Sequence, residues 1–301
     1  MNRLRPICAI MLAAGALLSE ARADVRLPNI FTDNMMLQRD KAIRVWGWAA
    51  PGEEVRVGLA GKNAVTKADD QGKWSVELPA MNEGENLELT VAGKNAVALK
   101  NVIIGDVWLC SGQSNMEMGL GGCLNAAEDS KRADFSKIRR IKFACVTSGY
   151  PEEDAITTTA WQVCSPQTAN GFTAVGFYFA REIFQKTGMP IGILDDNLGG
   201  TLIAPWIPPD GMEAAPELKQ EFDKRQRAIA AYTAQLPKAL DELERWIAAT
   251  REGLAKGTRL LPIPRISANP DRNSLQACVG RSPWKRVFPA GLTLMPILSA
   301  R

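Results

Sequence analysis

The sequence predicts an α/β protein in which an N-terminal antiparallel β-sandwich precedes an α/β/α three-layer domain with a helical insertion. Two observations predict this fold. Before residue 102, apolar and polar residues alternate with period two between turn clusters, which is typical of short antiparallel strands. After residue 102, a helical pattern, a buried apolar strand and a glycine-rich loop follow one another, as in a parallel α/β layer. A length of 301 residues is sufficient for two domains.

The start of the chain has the form of an export signal. Arg3 and Arg5 precede an apolar stretch at residues 7–18, and Ala-Arg-Ala follows at 21–23. This order of a basic region, a short apolar region and a small-residue cleavage site predicts cleavage before Asp24. We therefore expect a periplasmic or secreted protein, with an uncleaved anchor as the alternative. No later stretch is long and apolar enough to cross a membrane.

Charge and cysteine content exclude several classes of site. The net charge is +3, and it is near +1 after residues 1–23, so nothing indicates nucleic-acid binding. Five cysteines follow the signal, and an odd number leaves at least one unpaired. There is neither a Cys-x-x-Cys motif nor any histidine, so we expect no metal and no cofactor. The five are Cys110, Cys123, Cys145, Cys164 and Cys278.

Four strands are predicted in the N-terminal region. Their alternating patterns lie at residues 43–48, 54–59, 73–78 and 86–91. Trp46 and Trp48 in the first pattern fit either a sugar-stacking surface or core packing, and packing is the more common use of such tryptophans.

The most informative stretch of the chain is a strand that ends in a polar loop. Residues 107–110 are apolar, and residues 111–115 are small or polar. In α/β sheets, ligands bind beyond the carboxyl ends of the strands, which makes Ser114 the candidate nucleophile. A serine nucleophile normally needs an adjacent base, and the usual base, histidine, is missing from the chain.

A second strand also ends in a glycine-rich loop. Residues 175–186 have helical spacing, and Gly188 with Pro190 predicts the end of that helix. The apolar strand that follows leads into a polar loop at 196–201. We expect this loop and the Ser114 loop to meet at one edge of a parallel sheet.

Two segments follow this unit. Residues 216–256 are predicted to be helical, with a solvated charged face, and Pro237 is expected to divide the helix into two. Residues 262–301 hold six of the 18 prolines and carry a net charge of +5. We expect that tail not to pack with the domain. A reading-frame change or false stop would explain it, and a genuine short paralogue is the competing account.

Four segments resemble the sialate O-acetylesterase family, a branch of the SGNH hydrolases. Residues 107–116 closely resemble its first block. Residues 33–39 and 45–49 resemble the start of its N-terminal β domain. Residues 177–182 resemble the helix before its second block. Residues 191–195 through 199–201 to Trp206 resemble that block itself. The resemblance covers residues 25–212 and implies an incomplete SGNH-type domain.

The resemblance implies a site and a substrate. Ser114 would be the nucleophile, and its N–H would be one oxyanion donor. An N–H of the Gly199-Gly200 turn would be a second donor, and Gln113 and Asn115 would shape the pocket. The substrate would be an O-acetylated sugar or sialic acid, and no cofactor is needed.

The chain departs from the family pattern after its second block. A third block resembling Trp-Tyr-Gln-Gly-Glu-x-Asn and a late Asp-x-x-His, which supplies the base and its carboxylate, are not found. Asp106, Asp195 and Asp196 lie near the two loops in sequence. They are interpreted as structural or substrate-facing groups rather than as a replacement base, because an aspartate base would need a strongly raised pKa.

The predicted organisation has five parts and leaves two functions open. One is a carbohydrate O-acetylesterase, truncated here and weakly active or inactive. The other is a non-catalytic exported carbohydrate-binding or scaffold module. The oligomeric state stays open. The parts are a signal peptide at 1–23, a β-sandwich at 24–101, an SGNH-like part at 102–212, a helical insertion at 213–261 and the tail at 262–301.

Overall fold

The structure is a computed structural model that describes residues 24–144, 154–203, 206–207, 209–258, 262, 264 and 293–294. It is a mixed α/β structure with one large sheet and flanking helices. No helix within these ranges is long and apolar enough to span a bilayer. The predicted signal peptide lies outside the described residues.

The first part of the chain is almost entirely β. Strands at three of the predicted positions have the predicted bounds, and the fourth lies within a longer strand. The additional strand β4 was missed because its sequence is mostly polar and exposed, which hides the alternation. The strands are β1 Met36–Gln38, β2 Ile43–Trp48, β3 Glu54–Leu59, β4 Lys62–Lys67, β5 Lys73–Leu78, β6 Gly84–Ala92 and β7 Ala96–Gly112.

Helices alternate with strands in the second part. The predicted helix at 175–186 and the buried strand after it are confirmed, and the helix ends at Gly188 in a left-handed conformation, as predicted. The elements are α1 Ser114–Glu117, α2 Ala126–Lys131, β8 Phe135–Lys142, β9 Gln162–Cys164, α3 Ala174–Thr187, β10 Ile191–Asn197, α4 Pro209–Ala214, α5 Lys219–Lys256 and β11 Thr293–Leu294.

Strand β7 connects the two parts. Its first half pairs antiparallel with β6, which also pairs with β3, and its second half pairs parallel with β10. Strand β10 pairs parallel with β8 on its other side. Strand β7 therefore runs without interruption through the predicted boundary after residue 101, and it carries the chain from the antiparallel part directly to the candidate site.

The register of β7 and β10 brings their carboxyl ends together. Asp196 lies beside Ser111, and Asn197 lies beside Gly112. The loops that follow the two strands therefore leave the same edge of the sheet, as predicted. This is the geometric condition for a shared site.

Two hydrophobic clusters support this sheet. One extends from the β strands of the N-terminal part to Leu194, and the other lies between the sheet and α3. Trp46 is buried in the first and packs edge-on against Phe31, with ring centroids 4.8 Å apart. The packing interpretation of Trp46 is confirmed. The exposed side of Trp48 carries the Arg26 guanidinium, 3.8 Å from the ring centroid.

A buried arginine joins the two parts. The Arg139 guanidinium, on β8, donates to the carbonyl oxygens of Asn34, at 2.8 Å, and Asn101, and also to Oδ1 of Asn101 at 3.0 Å. Both asparagines have left-handed backbones, with φ of 63° and 54°, which asparagine tolerates better than most residues. Burial lowers the pKa of Arg139 to about 10, so the guanidinium remains charged at neutral pH.

The expected division of the long helix at Pro237 is wrong. Helix α5 is one element of 38 residues with Pro237 inside it. A proline removes one N–H donor and crowds the carbonyl four residues earlier, at a cost of about 3 kcal/mol. Strong helix formers on both sides offset that cost. None of the α5 side chains is buried, in agreement with a solvated helix.

The tail contributes two described residues to the sheet. Thr293 and Leu294 pair parallel with Trp108 and Leu109 of β7. This pairing contradicts, for those two residues, the expectation that the tail stays apart from the domain. The physical reason is that the outer side of β7 presents backbone N–H and C=O groups that can pair with an extended segment. Most of 262–301 lies outside the described residues, and for it the expectation stays a prediction.

Candidate active site

Ser114 lies at the point where β7 turns into α1. Gly112, two residues earlier, has φ of 140°, a conformation that side-chain-bearing residues rarely adopt, so glycine permits the sharp exit from the strand. Ser114 is the first residue of α1 and is exposed, with its hydroxyl 3.5 Å from Oε1 of Gln113. Gln113 and Asn115 are also exposed and flank it.

The loop after β10 folds over this turn. The Leu198 N–H donates to the Gly112 carbonyl oxygen at 2.9 Å, which ties the two loops together at their bases. A β-carbon placed on Gly199 would lie 3.5 Å from the Ser114 β-carbon. Gly200 follows with φ of 77°. The structure thus brings Ser114 and the Gly199-Gly200 turn together, while their catalytic roles stay predictions.

Side chains further along hold the end of this loop. The Thr201 hydroxyl donates to the Leu198 carbonyl oxygen at 2.8 Å. The Trp206 indole N–H in turn donates to the Thr201 hydroxyl at 2.9 Å. These two bonds account for the polar and aromatic residues that follow the glycines in the sequence.

Glu117 is a site residue that sequence reasoning missed. Its Oε2 accepts the Gly199 N–H at 2.6 Å, so one carboxylate bridges α1 and the glycine turn. The available signal was spacing, because a residue three positions after Ser114 on a helix lies on the same face as Ser114. An acid at that position in a nucleophile turn was therefore a candidate neighbour of the reacting group.

Two of the three aspartates that lie near the loops in sequence, Asp106 and Asp195, have structural roles. Asp106 lies beside Ile191 at the far end of the parallel strands, where the Arg39 Nε donates to it at 2.8 Å. About six residues of strand separate it from Gly112, or roughly 20 Å. Asp106 is therefore outside the site.

Asp195 belongs to a buried charge cluster beneath the site, formed by Arg140, Lys142, Asp195 and Asn197. Arg140 Nε and Lys142 Nζ lie 2.6 Å and 3.1 Å from its two carboxylate oxygens. The Asn197 amide N–H also donates to it. Both oxygens of the buried Asp195 carboxylate are engaged by these partners, so Asp195 is unsuited to serve Ser114 as a base. Asp196 is also buried.

The two buried thiols, Cys110 and Cys164, offer no alternative nucleophile near neutral pH. Cys110 and Cys164 are buried, and Cys123 is half-buried. Burial raises the pKa of the Cys110 thiol far above its ordinary value and that of Cys164 to about 12. Buried protonated thiols are inert. Cys145 and Cys278 lie outside the described residues, and within the described ones no group of acidic or cysteine side chains is arranged to hold a metal.

Comparison with known proteins identifies the family. No protein-family model matches the chain. Sialate O-acetylesterase from Mus musculus is 30% identical over 222 residues, which is 67% of this chain, and that from Homo sapiens is 29% identical over 214 residues. The chain belongs to the sialate O-acetylesterase family. It spans 41% of the length of each of these two relatives.

A solved structure agrees with this assignment to the sialate O-acetylesterases. A carbohydrate acetylesterase from Xanthomonas citri is 36% identical, with a TM-score of 0.60. The match covers 62% of this chain and 43% of that one. At this identity, both the fold and the residues of the matched region are comparable. The resemblance seen in the block around Ser114 therefore extends over most of the chain.

The arrangement is chemically suited to acyl transfer. It combines an exposed hydroxyl at a sharp turn with backbone N–H groups of a neighbouring glycine turn, which is how an oxyanion is stabilised in a protein. The 301 residues contain no histidine to remove the hydroxyl proton, and among the described acids Asp195 is engaged by Arg140 and Lys142 while Glu117 accepts the Gly199 N–H.

Proposed function

We propose that this protein is a carbohydrate O-acetylesterase-like protein that uses Ser114 as its nucleophile. The substrate class is an O-acetylated sugar or an O-acetylated sialic acid. One observation carries the proposal, the contact of the Ser114 turn with Gly199 at the carboxyl ends of β7 and β10. The names of the related proteins support the same ester chemistry.

In the proposed reaction the Ser114 Oγ attacks the acetyl carbonyl carbon. The carbonyl oxygen becomes an oxyanion, which accepts hydrogen bonds from the Ser114 N–H and from an N–H of the Gly199-Gly200 turn. The bond from carbon to the sugar oxygen then breaks, and the sugar leaves as an alcohol with the serine proton. Water hydrolyses the acetyl-serine and releases acetate. Gln113 and Asn115, exposed on either side of Ser114, line the path of the sugar.

The missing base sets the rate. Near neutral pH the Ser114 hydroxyl is neutral, and oxyanion donors with substrate binding recover only about 10³–10⁴-fold over water when a catalytic triad is incomplete. Deacylation needs the same base to activate water. This chain is therefore weakly active or inactive in turnover. Ser114 becomes acetylated slowly, and the acetyl-serine is hydrolysed more slowly still.

The second candidate function is a non-catalytic carbohydrate-binding or scaffold module. The observation that favours it is the same lack of a base beside Ser114. It differs from the first proposal in one testable respect, since a binding module forms no covalent acetyl-serine. Both candidates act outside the cytoplasm, as the export signal at residues 1–23 suggests.

Acetyl transfer from p-nitrophenyl acetate, followed by intact-protein and peptide mass spectrometry, separates the two. We expect one acetyl group to accumulate on Ser114 without turnover. The reason is that formation of the acetyl-serine depends only in part on a base, whereas its hydrolysis depends on one fully. The Ser114→Ala substitution should abolish this acetylation. Ser111→Ala, which changes a partly exposed serine near the end of β7, is the matched control and leaves the acetylation of Ser114 unchanged. Equal acetylation of Ser114→Ala and wild type would overturn the esterase proposal.

A further inference from the structure

Glu117 connects the two loops of the site through a single bond. Its carboxylate accepts the Gly199 N–H at 2.6 Å, a short charge-assisted contact between α1 and the loop after β10. A β-carbon on Gly199 would approach Glu117 Oε2 to 2.6 Å and the Ser114 α-carbon to 3.6 Å. Gly199 is therefore bonded to the carboxylate through its N–H, and a methyl group on it would fill the space toward the serine.

This packing separates the roles of the two glycines. A β-carbon on Gly199 would meet Ser114 only at ordinary contact distance but would collide with the Glu117 carboxylate, so on this side of the turn the carboxylate occupies the space. The Gly199 N–H is engaged by Glu117. Around Gly200, in contrast, no atom of the described residues lies within 4 Å of a β-carbon position. The open side of the turn, where an acetyl group has room, is the Gly200 side.

We propose that Glu117 is a positioning residue that holds the Gly199-Gly200 turn against Ser114 and thereby presents the Gly200 N–H to the acetyl oxyanion. The inference rests on the proposed function and deepens it, because it assigns which N–H of the turn faces the substrate. Glu117 touches neither the acetyl group nor the leaving sugar. It acts through Gly199, and glycine is required there because any side chain would displace the carboxylate.

The acceptor atom of Glu117, rather than its side-chain volume, makes the contact. Glu117→Gln keeps an oxygen acceptor at the same reach, whereas Glu117→Ala removes it. Glu117→Asp keeps the charge but is one methylene too short. Acetylation of Ser114 by p-nitrophenyl acetate should fall about tenfold or more in the Ala and Asp variants, as expected for a misplaced reacting geometry, and stay near wild type in Gln.

The matched control is Glu128→Ala, which removes another exposed helical glutamate, one that pairs with Arg132 on α2. It should leave the acetylation rate unchanged. Thermal midpoints of all variants should stay close to wild type, because both glutamates are exposed. If Glu117→Ala acetylates as fast as wild type, or faster, the positioning role is wrong. A faster rate would mean that the carboxylate blocks the site.

A second readout separates this inference from the esterase proposal. The amide proton of Gly199 in a ¹H–¹⁵N correlation spectrum should lie downfield in wild type and Glu117→Gln, and move upfield in Glu117→Ala. If wild type forms no acetyl-serine, the esterase proposal fails, and this shift alone decides the Glu117 contact. An unchanged Gly199 resonance in Glu117→Ala would overturn the inference whatever the acetylation result.

Discussion

The buried strand ends of β7 and β10, below the sheet edge, and the exposed loops that follow them, above it, are held together in opposite ways. Below the edge, Asp195 is buried between Arg140 and Lys142, and its carboxylate is held by side chains of packed strands. Above it, Ser114 and Gly199 are joined by backbone proximity and by one exposed carboxylate. The buried cluster is committed to stability, and only the lightly held turn above it keeps groups available to a substrate.

The largest effect should come from breaking the buried cluster. Asp195→Ala would leave two cations beneath the site without their carboxylate, and removing one partner of a buried ion pair costs about 3–5 kcal/mol. Urea unfolding followed by circular dichroism measures this. Asp223→Ala, which removes an exposed pair with Lys219 on α5, is the control and should change little. Equal midpoints for the two variants would show that the cluster is not structural.

A smaller but still large loss is expected at the junction of the two parts. Arg139→Met retains much of the apolar volume but leaves the carbonyl oxygens of Asn34 and Asn101 without their buried donor. Each unsatisfied buried group costs about 1–3 kcal/mol. Thermal unfolding should show the loss, whereas the exposed Arg56→Met should not. A midpoint shift no greater than that of Arg56→Met would mean that strand β7 and the hydrophobic cluster hold the two parts together without Arg139.

Above the edge the expected effect is on chemistry rather than on stability. Gly199→Ala places a methyl group 2.6 Å from the Glu117 carboxylate, which must move away, so Ser114 acetylation should fall while the thermal midpoint changes little. Gly121→Ala meets only ordinary contacts, the nearest at 3.5 Å, and serves as the control. A stability loss as large as that of Asp195→Ala would place Gly199 with the buried region instead.

The last effect is absent near neutral pH and appears only at alkaline pH. Burial raises the pKa of Cys164 from 9.0 to about 12 in the folded protein, so at intermediate pH the unfolded chain has lost a proton that the folded protein keeps. The stability associated with the protonated thiol is complete below pH 9 and is lost as pH rises toward 12. Cys164→Ala should flatten the decline of the unfolding free energy over that range. An unchanged decline would show that other groups cause it.

Sequence patterns predicted the positions of the elements well and their partners less well. The alternation in β2, β3 and β5 and the glycine-ended helix α3 are local signals, and the structure has them where the patterns lie. The two polar loops were predicted to meet because strands of a parallel sheet end at one edge. Strand β4 was missed because most of its exposed residues are polar and lie on both faces, and its one large apolar residue, Val65, is exposed as well.

The site was predicted in outline only. Ser114 and the glycines carry local signals, namely a strand that ends in small residues and a turn that needs positive φ. The bond of Glu117 to Gly199 joins residues 82 positions apart and depends on the packing of two loops, which no local pattern reports. Asp106 was grouped with the site from its nearness in sequence, whereas a strand separates it from Ser114 in space.

Ser114 is proposed to be a competent nucleophile that lacks a histidine base. The most direct test adds a family-like C-terminal segment with its Asp-x-x-His to this chain and measures hydrolysis of p-nitrophenyl acetate. Base and nucleophile act as a unit, so we predict a gain of several orders of magnitude that Ser114→Ala removes entirely. If the extended protein is equally active without the Ser114 hydroxyl, Ser114 is not the nucleophile.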